Sequence, residues 1–493
     1  MDRKSHIMSL HWNAALLTVL LSGCTTLIPP HTLPESTLPT HYQQGYGPNT
    51  KDAASASAAN IAWQDYFRDP HLQNVILQAL RHNHDLRSAA LRVQLAQAAY
   101  RIERSAQLPG VDLGMDAKRS RTPSDLSATG SALSSNEFQV GVGVTSWEVD
   151  LWGRIASLNE EALQTFLATN AGQRAVTISL VAQVADTWLS LYELNERLRL
   201  AQATQANQSE LLRIFTRRFE VGAVTKLELT QVQTLVNHAE GLVLQLQQQR
   251  DLQRNALHLL IGRADLIDFN YKPFANSPLL QPLDAGLPSD LLTNRPDIVA
   301  AEHRLRAANA HIGAARAAFF PRISLTTFGG LASGELSDLL EGSSRAWNFA
   351  PSLSLPIFDA GRNQANLDLA EVRKDLAVVE YEQTIQSAFR DVADALANQH
   401  WLQQQLSVQQ QAVEIQAERS RLAHLSHERG RASFLEVLDA ERDRLETEQQ
   451  KVQAQHALLR SRVALYAALG GGTQHLPPAD QPVSALSSNI AEK

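Results

Sequence analysis

Apolar and polar residues alternate with two different periods along this chain, and they do so twice. Val111, Leu113, Met115 and Ala117 alternate with Asp112, Gly114, Asp116 and Lys118. Phe138, Val140, Val142 and Val144 alternate with Gln139, Gly141, Gly143 and Thr145. Ile323, Leu325 and Thr327, and then Trp347, Phe349, Leu353, Leu355 and Ile357, keep the same period of two. Period two predicts four β-strands, each with one apolar and one polar face. Each pair of strands follows a stretch of helical character that ends at Pro109 or Pro321, and each precedes very long helix. From Asn363 to Arg429 neither Gly nor Pro interrupts the chain, which at 1.5 Å per residue reaches about 100 Å. Arg431 to Leu469 is a second uninterrupted run, and Leu435, Leu438, Leu445, Val452 and Leu459 hold an approximate heptad seam. Arg154 to Val221 and Ala223 to Ile261 repeat the plan, interrupted only by Gly172 and Gly241. Gly222 and Gly430 fall where each helical hairpin must turn or flex.

The repetition extends to the residues. "DLRSAALRVQLAQAAYRIERSAQLPGVDL" from Asp85 aligns without a gap on "DIVAAEHRLRAANAHIGAARAAFFPRISL" from Asp297. Further on, Gly153-Arg154 matches Gly361-Arg362, Asp186 matches Asp394, Gly222 matches Gly430 and Leu227-Glu228 matches Leu435-Glu436. A duplicated unit is therefore expected over 61–262 and 294–470, joined by a Pro- and Asp-containing linker at 263–293. Residues 471–493 read as a polar tail.

The N-terminus adds a location. Arg3 and Lys4 precede an apolar run from Ala14 to Leu21, then Leu21-Ser22-Gly23-Cys24. This predicts a signal peptide over 1–23, too short for a permanent membrane span. The tetrad resembles the bacterial lipobox, in which the Cys becomes the lipidated first residue of the mature chain. Thr25 after it suits the outer membrane by the usual sorting pattern. Residues 24–60, with Pro29, Pro30, Pro34 and Pro39, read as a lipidated tether.

Composition narrows the function. A formal charge of −7 without a basic stripe argues against nucleic acid. One cysteine excludes an internal disulfide and any CxxC site. No GxxxxGK[ST], HExxH or GxSxG occurs, so no enzyme site or energy-coupling site is visible. His82-Asn83-His84 and His424/His427 have ligand-like spacing but read as solvated histidines. Asp186 and Asp394 are expected to pair across helices or subunits, and Arg154 and Arg362 to anchor the strand–helix junctions.

A membrane strand needs about 9–11 residues, and these strands meet that length. The same alternation also suits a soluble four-stranded sheet with one wet face. If the strands span a bilayer, four cannot close a barrel, since the smallest bacterial barrels have about eight. The barrel must then be shared between chains.

"WQDYFRDPHL" at Trp63, "SWEVDLWGRI" at Ser146, "LLTNRPDIVAAEHRLRAANAHIGAARAAFFPRISL" at Leu291, "PSLSLPIFDAGRNQANL" at Pro351 and "GRASFLEVLDAER" at Gly430 resemble the TolC-like outer-membrane efflux channels. With the lipobox they point to the OprM/NodT-type lipoprotein branch. The resemblance implies an α+β membrane protein: a homotrimer sharing one 12-stranded barrel, with a long periplasmic α-helical coiled-coil tunnel. It implies a passive exit duct of a tripartite pump, with a periplasmic adaptor and an inner-membrane transporter, often of the resistance–nodulation–division (RND) class. It implies no cofactor beyond the covalent lipid at Cys24. It also implies that the periplasmic aperture is ringed by an apolar residue and carboxylates, here Leu435, Glu436 and Asp439, with opening by movement near Gly222 and Gly430. The plain alternative for the carboxylates is a solvated face with Asp439 paired to Arg442. The chain departs from the family pattern at the tip latch: His427 and Ala432 stand there, with Arg431 one place off, and His427 is the candidate substitute. A different class of function, a lipid-anchored coiled-coil periplasmic adaptor, would need soluble β-domains bracketing one hairpin rather than two matched hairpins.

Overall fold

In the computed structural model, residues 26–34, 39, 58–263, 280, 283 and 290–472 are described. Helices α1 (Pro70–His82) and α2 (His84–Ser105) lead into β1 (Asp112–Thr122) and β2 (Leu133–Glu148). Then come α3 (Arg154–Glu220) and α4 (Lys226–Ile261). The second copy follows as α5 (Pro296–Ala317), β3 (Arg322–Ser333), β4 (Arg345–Ser354), α6 (Arg362–Glu428) and α7 (Phe434–Ala468). The matched helices α3 and α6 both have 67 residues. Gly172 and Gly241 lie inside helices, where neighbouring residues of high helix propensity absorb their cost of roughly 1 kcal/mol each. The chain forms two compact units, and each takes residues from both copies.

The first unit holds the strands. Among the described residues they make one antiparallel sheet in the order β1-β2-β3-β4. The register places Leu113 beside Val142, Val142 beside Gly329 and Gly329 beside Trp347. Met115, Val140, Leu331, Thr327, Phe349 and Leu353 share that face, while Asp116, Gln139, Ser324, Asn348 and Ser352 lie on the other. The apolar face is uncovered: Leu113 is 78% exposed and Trp347 82%. A bulge between Val144 and Trp147, with Ser146 at a φ of 52°, breaks the ladder near the end of β2. Just beyond it, Glu148 accepts two hydrogen bonds from Arg154 at 2.8 Å and pairs with Arg322 at 2.6 Å. Arg154 thus anchors its junction as expected. At the matching junction the fastening is different: Asp359 accepts from the backbone N–H groups of Gly361 and Asn363 at 3.0 and 2.9 Å. Those two N–H groups hold the Asp359 carboxyl below its usual range.

Helices extend this unit in a row. Tyr100 of α2 stacks on Phe166 of α3. His311 and His303 of α5 meet Glu161 and Gln164 of α3, both at 2.7 Å. Ile312 and Ala315 of α5 pack on Leu367 and Ala370 of α6. The row therefore runs α2, α3, α5, α6. Residues 26–34 do not trail away as a free tether over this unit. Asn309 donates to the Pro29 carbonyl at 2.8 Å, and Ile28 lies so close to Gly313 that an added Cβ there would come within 2.6 Å of it.

The second unit is a second row. Leu194, Leu198 and Ala201 of α3 pack on Val243 and Leu246 of α4. On its other side α3 meets α7 through Arg197 and Gln449 (2.6 Å), Ser190 and His456, and Asp186 and Arg460. The Asp186–Arg460 ion pair, at 2.9 Å, has no hydrogen-bond geometry and leaves Asp186 Oδ1 without a hydrogen-bond partner. Helix α7 then meets α6 through Arg419 and Asp443. The row runs α4, α3, α7, α6, and α1 packs with the middle of α3 and the C-terminal ends of α4 and α7 in the main core around Ile76, Leu189, Leu257 and Tyr466. Asp186 thus pairs across helices as expected, whereas its repeat mate Asp394 pairs within α6 with Arg390 at 3.9 Å. Arg460 of α7 reaches Asp186, whereas the matching residue of the first copy, Leu252, carries no charge, so identical sequence positions take different partners.

Two outcomes follow. Ala360 has a φ of 54°, a left-handed conformation that costs an L-residue about 1–2 kcal/mol. Ala360→Gly is expected to raise the thermal unfolding midpoint in detergent, corresponding to about 1 kcal/mol of stabilisation. For His311, the hydrogen bond to Glu161 raises the imidazole pKa against the opposing effect of burial. Its charged-pair stabilisation is complete below the ordinary histidine pKa and is lost as pH rises through the raised value. The stability gap between wild type and His311→Gln, followed by circular dichroism across that range, should therefore narrow with rising pH.

Candidate functional site: the two matched helical turns

The chain turns back at Gly222 and Gly430, and both turns use the same chemistry. Gly222 has a φ of 72° and Gly430 a φ of 69°, conformations open to glycine without strain. The Gly222 N–H donates to the Phe219 carbonyl at 3.0 Å and the Ala223 N–H to Arg218 at 2.8 Å. The Gly430 N–H donates to His427 at 2.8 Å and the Arg431 N–H to Ser426 at 2.9 Å. Each is a Schellman ending that satisfies the last carbonyls of its helix. An added Cβ would meet nothing at either position, so backbone conformation alone calls for glycine.

Inside the turns, Phe215, Leu229, Val232, Phe434, Val437 and Leu438 form one buried cluster. Phe215 and Phe434 have ring centroids 4.4 Å apart. Burying Phe434, Val437 and Leu438 on one face of α7 turns Leu435, Glu436 and Asp439 to the other, because positions i, i+1 and i+4 fall together opposite i−1, i+2 and i+3. Leu435 is 48% exposed, Glu436 is exposed and Asp439 is half-exposed. The three residues singled out from the sequence therefore share one accessible face. Asp439 also has the plain partner: Arg442 Nη1 lies 3.5 Å from its Oδ1. His427 is engaged at the turn itself, donating from Nδ1 to the Ala432 carbonyl at 3.2 Å, with its ring 5.2 Å from that of Phe434. His424 meets Glu441 at 2.9 Å. Among the described residues no three His, Cys, Asp or Glu side chains converge to hold a metal.

The turns differ in one respect that the sequence hides. Thr225 and Glu228 make a closed capping box, the Glu228 N–H donating to Thr225 Oγ1 and the Thr225 N–H donating to Glu228 Oε2 at 2.7 Å. These hydrogen bonds hold the Glu228 carboxyl below its usual range. Ser433 and Glu436 occupy the matching places, yet Ser433 makes no side-chain cap, the Glu436 N–H donates to the Ser433 carbonyl instead, and the Glu436 carboxylate makes no hydrogen bond or ion pair among the described residues. Nothing in residue type distinguishes the two boxes.

The outer membrane efflux protein family profile matches residues 75–263 and 287–471, the two copies in turn. The chain belongs to the outer membrane efflux protein family. It is 41% identical to the toluene efflux pump outer membrane protein TtgF of Pseudomonas putida, over 97% of this chain and all of that protein. It is 38% identical to outer membrane protein OprJ of Pseudomonas aeruginosa, over 93% of this chain and 95% of that one. Its fold superposes on the open state of the Neisseria gonorrhoeae MtrE outer membrane channel with a TM-score of 0.83 at 35% identity, covering 91% of this chain and 99% of that one. On a Campylobacter jejuni CmeC outer membrane channel the TM-score is 0.84 at 26% identity, covering 95% and 98%. The protein is thus an outer-membrane efflux protein and not an enzyme, and the soluble-sheet reading and the adaptor reading are set aside.

The asymmetry of the boxes has a direct consequence. Thr225→Ala should cost about 1 kcal/mol, the usual loss of a helix cap, whereas Ser433→Ala should change stability by less than about 0.5 kcal/mol. Thermal unfolding of the two variants side by side checks it; equal losses would contradict the difference between the turns.

Proposed function

We propose that three copies of this chain close a 12-stranded barrel in the outer membrane and form a passive exit duct, gated where α7 begins. The observation that carries this is the sheet: one uncovered apolar face, one polar face, and β1 and β4 left as edges. In hydrocarbon an edge leaves backbone N–H and C=O groups unsatisfied at several kcal/mol each, so the β4 edge of one copy pairs with the β1 edge of the next. Both helical rows support the same head-to-tail closure. In the first unit the row ends in α2, with Leu95 and Ile102 exposed, and in α6, with Leu369, Val372, Leu376 and Val379 exposed. In the second it ends in α4, with Leu244, Leu252 and Leu259 exposed, and in α6, with Trp401, Val408, Ile415 and Leu422 exposed at seven-residue spacing. These stripes are the uncovered halves of helix–helix seams that a neighbouring copy completes.

On this reading Leu435, Glu436 and Asp439 become rings at the periplasmic aperture, and the hairpins swing about Gly222 and Gly430. The duct serves a tripartite pump with a periplasmic adaptor and an inner-membrane transporter of the RND class. Relatives named for toluene, solvent and antibiotic efflux favour small toxic compounds as cargo. Cys24 lies outside the described residues, as do residues 1–23 and 473–493 and most of 263–293. Thr26 packs beside Gly153 at the β2–α3 junction.

Single-channel recording in a planar bilayer tests the duct. A small, cation-preferring conductance is expected for the wild type, rising with weaker cation preference in Glu436→Ala/Asp439→Ala. An unchanged conductance would remove the gate from these residues, and no conductance from folded oligomer would contradict the duct. Labelled palmitate should enter the wild type and not Cys24→Ser.

A further inference from the structure

The carboxylates on the accessible face of α7 are not equivalent, and the difference lies in a chain of alternating charges. Arg419 of α6 donates to Asp443 of α7 at 2.6 Å. Asp443 Oδ1 also accepts from Arg442, Nε at 3.2 Å and Nη2 at 3.0 Å. Arg442 Nη1 in turn lies 3.5 Å from Asp439 Oδ1. The sequence Arg419, Asp443, Arg442, Asp439 is positive, negative, positive, negative, and its charges sum to zero. Glu436 stands one turn before Asp439 on the same face, and among the described residues its carboxylate has no hydrogen-bond or ion-pair partner. The first copy holds nothing comparable. Gln231, Thr234 and Leu235 occupy the places of Asp439, Arg442 and Asp443, and Glu228 is closed into its capping box. Of the four places compared between α4 and α7, Glu436 is the one that presents a carboxylate which, among the described residues, neither a cation nor a backbone donor compensates.

The geometry points to Arg442 as a charge-setting residue: it masks Asp439, so that Glu436 supplies the ion preference of the aperture. This rests on the reading of α7 as the lining of the periplasmic end. The physical reason is that a carboxylate beside a guanidinium contributes a dipole, whose field falls off faster with distance than that of a bare charge. Symmetry then multiplies the uncompensated charge at Glu436 and leaves the Asp439 ring close to neutral. Arg442 is itself placed by Asp443, which Arg419 holds from the neighbouring helix, so the mask does not depend on one flexible side chain alone. All three side chains, Glu436, Asp439 and Arg442, are accessible, so neutral replacements leave the buried Phe434 cluster untouched.

Reversal potentials in a KCl gradient, measured on the full-length oligomer in a planar bilayer, give the K⁺/Cl⁻ permeability ratio for each variant. Glu436→Gln should lower the ratio by about two- to fivefold, the range of exposed charge interactions. Asp439→Asn alone should shift it by less. Arg442→Gln should raise it by about twofold, and adding Asp439→Asn to Arg442→Gln should cancel that rise. If Glu436→Gln lowers the ratio but Arg442→Gln leaves it unchanged, or if Asp439→Asn lowers it as much as Glu436→Gln does, the masking is wrong while the aperture stands. If Glu436→Gln, Asp439→Asn and Arg442→Gln all leave the ratio unchanged, the aperture reading itself fails. Unaltered oligomer mobility for each variant confirms that the comparison is made on folded protein.

Discussion

A β-strand edge presents a row of backbone donors and acceptors, and a bilayer offers nothing to satisfy them. That constraint organises this chain. Its four strands place Leu113, Val142 and Trp347 on an uncovered apolar face, yet the sheet stops at β1 on one side and β4 on the other. A protein with such a sheet is incomplete as a single copy. The helical rows repeat the condition in a softer form, because an exposed leucine costs far less than a pair of orphaned peptide groups in lipid. Edges compel closure, and the apolar stripes on α2, α4 and α6 set which helices meet when it happens. The duplication supplies the geometry: two strands and two long helices per copy, related by the repeat, give a chain whose two ends differ and can join head to tail.

Much of this was legible in the residues. Period-two alternation located all four strands, because a sheet with lipid on one side and water on the other enforces it at every position. The long runs free of Pro, and of Gly except at Gly172 and Gly241, located α3, α4, α6 and α7 to within a few residues, and Gly222 and Gly430 marked their turns because a Schellman ending favours a residue at positive φ. The first unit's packing was less legible. Residues 26–34 carry three prolines and read as tether, but the short side of Gly313 makes a groove for Ile28, and only the fold brings them together. The bulge at Ser146 depends on ladder register, which no single strand encodes.

At the candidate site the sequence was informative about position and silent about state. The family resemblance singled out Leu435, Glu436 and Asp439 together, and the burial of Phe434, Val437 and Leu438 explains why they share a face. The sequence could not distinguish two boxes of the same type, Thr225 with Glu228 and Ser433 with Glu436, since whether a cap closes depends on rotamers and backbone approach rather than residue identity. Nor could it say that Arg442 would sit between two aspartates, because i to i+1 and i to i+3 partners compete for one guanidinium and Arg419 on another helix decides the outcome. Divergence of the copies is therefore electrostatic as well as steric. One turn engages its carboxylate in a cap, and the matching carboxylate of the other stays accessible to solvent.

The most direct test of this account is the mass of the intact assembly, measured by native mass spectrometry after gentle release from outer-membrane detergent extracts. The account predicts three chains, with no smaller species that inserts and conducts. A stable single chain that inserts and conducts would mean the sheet satisfies its own edges, and would contradict it.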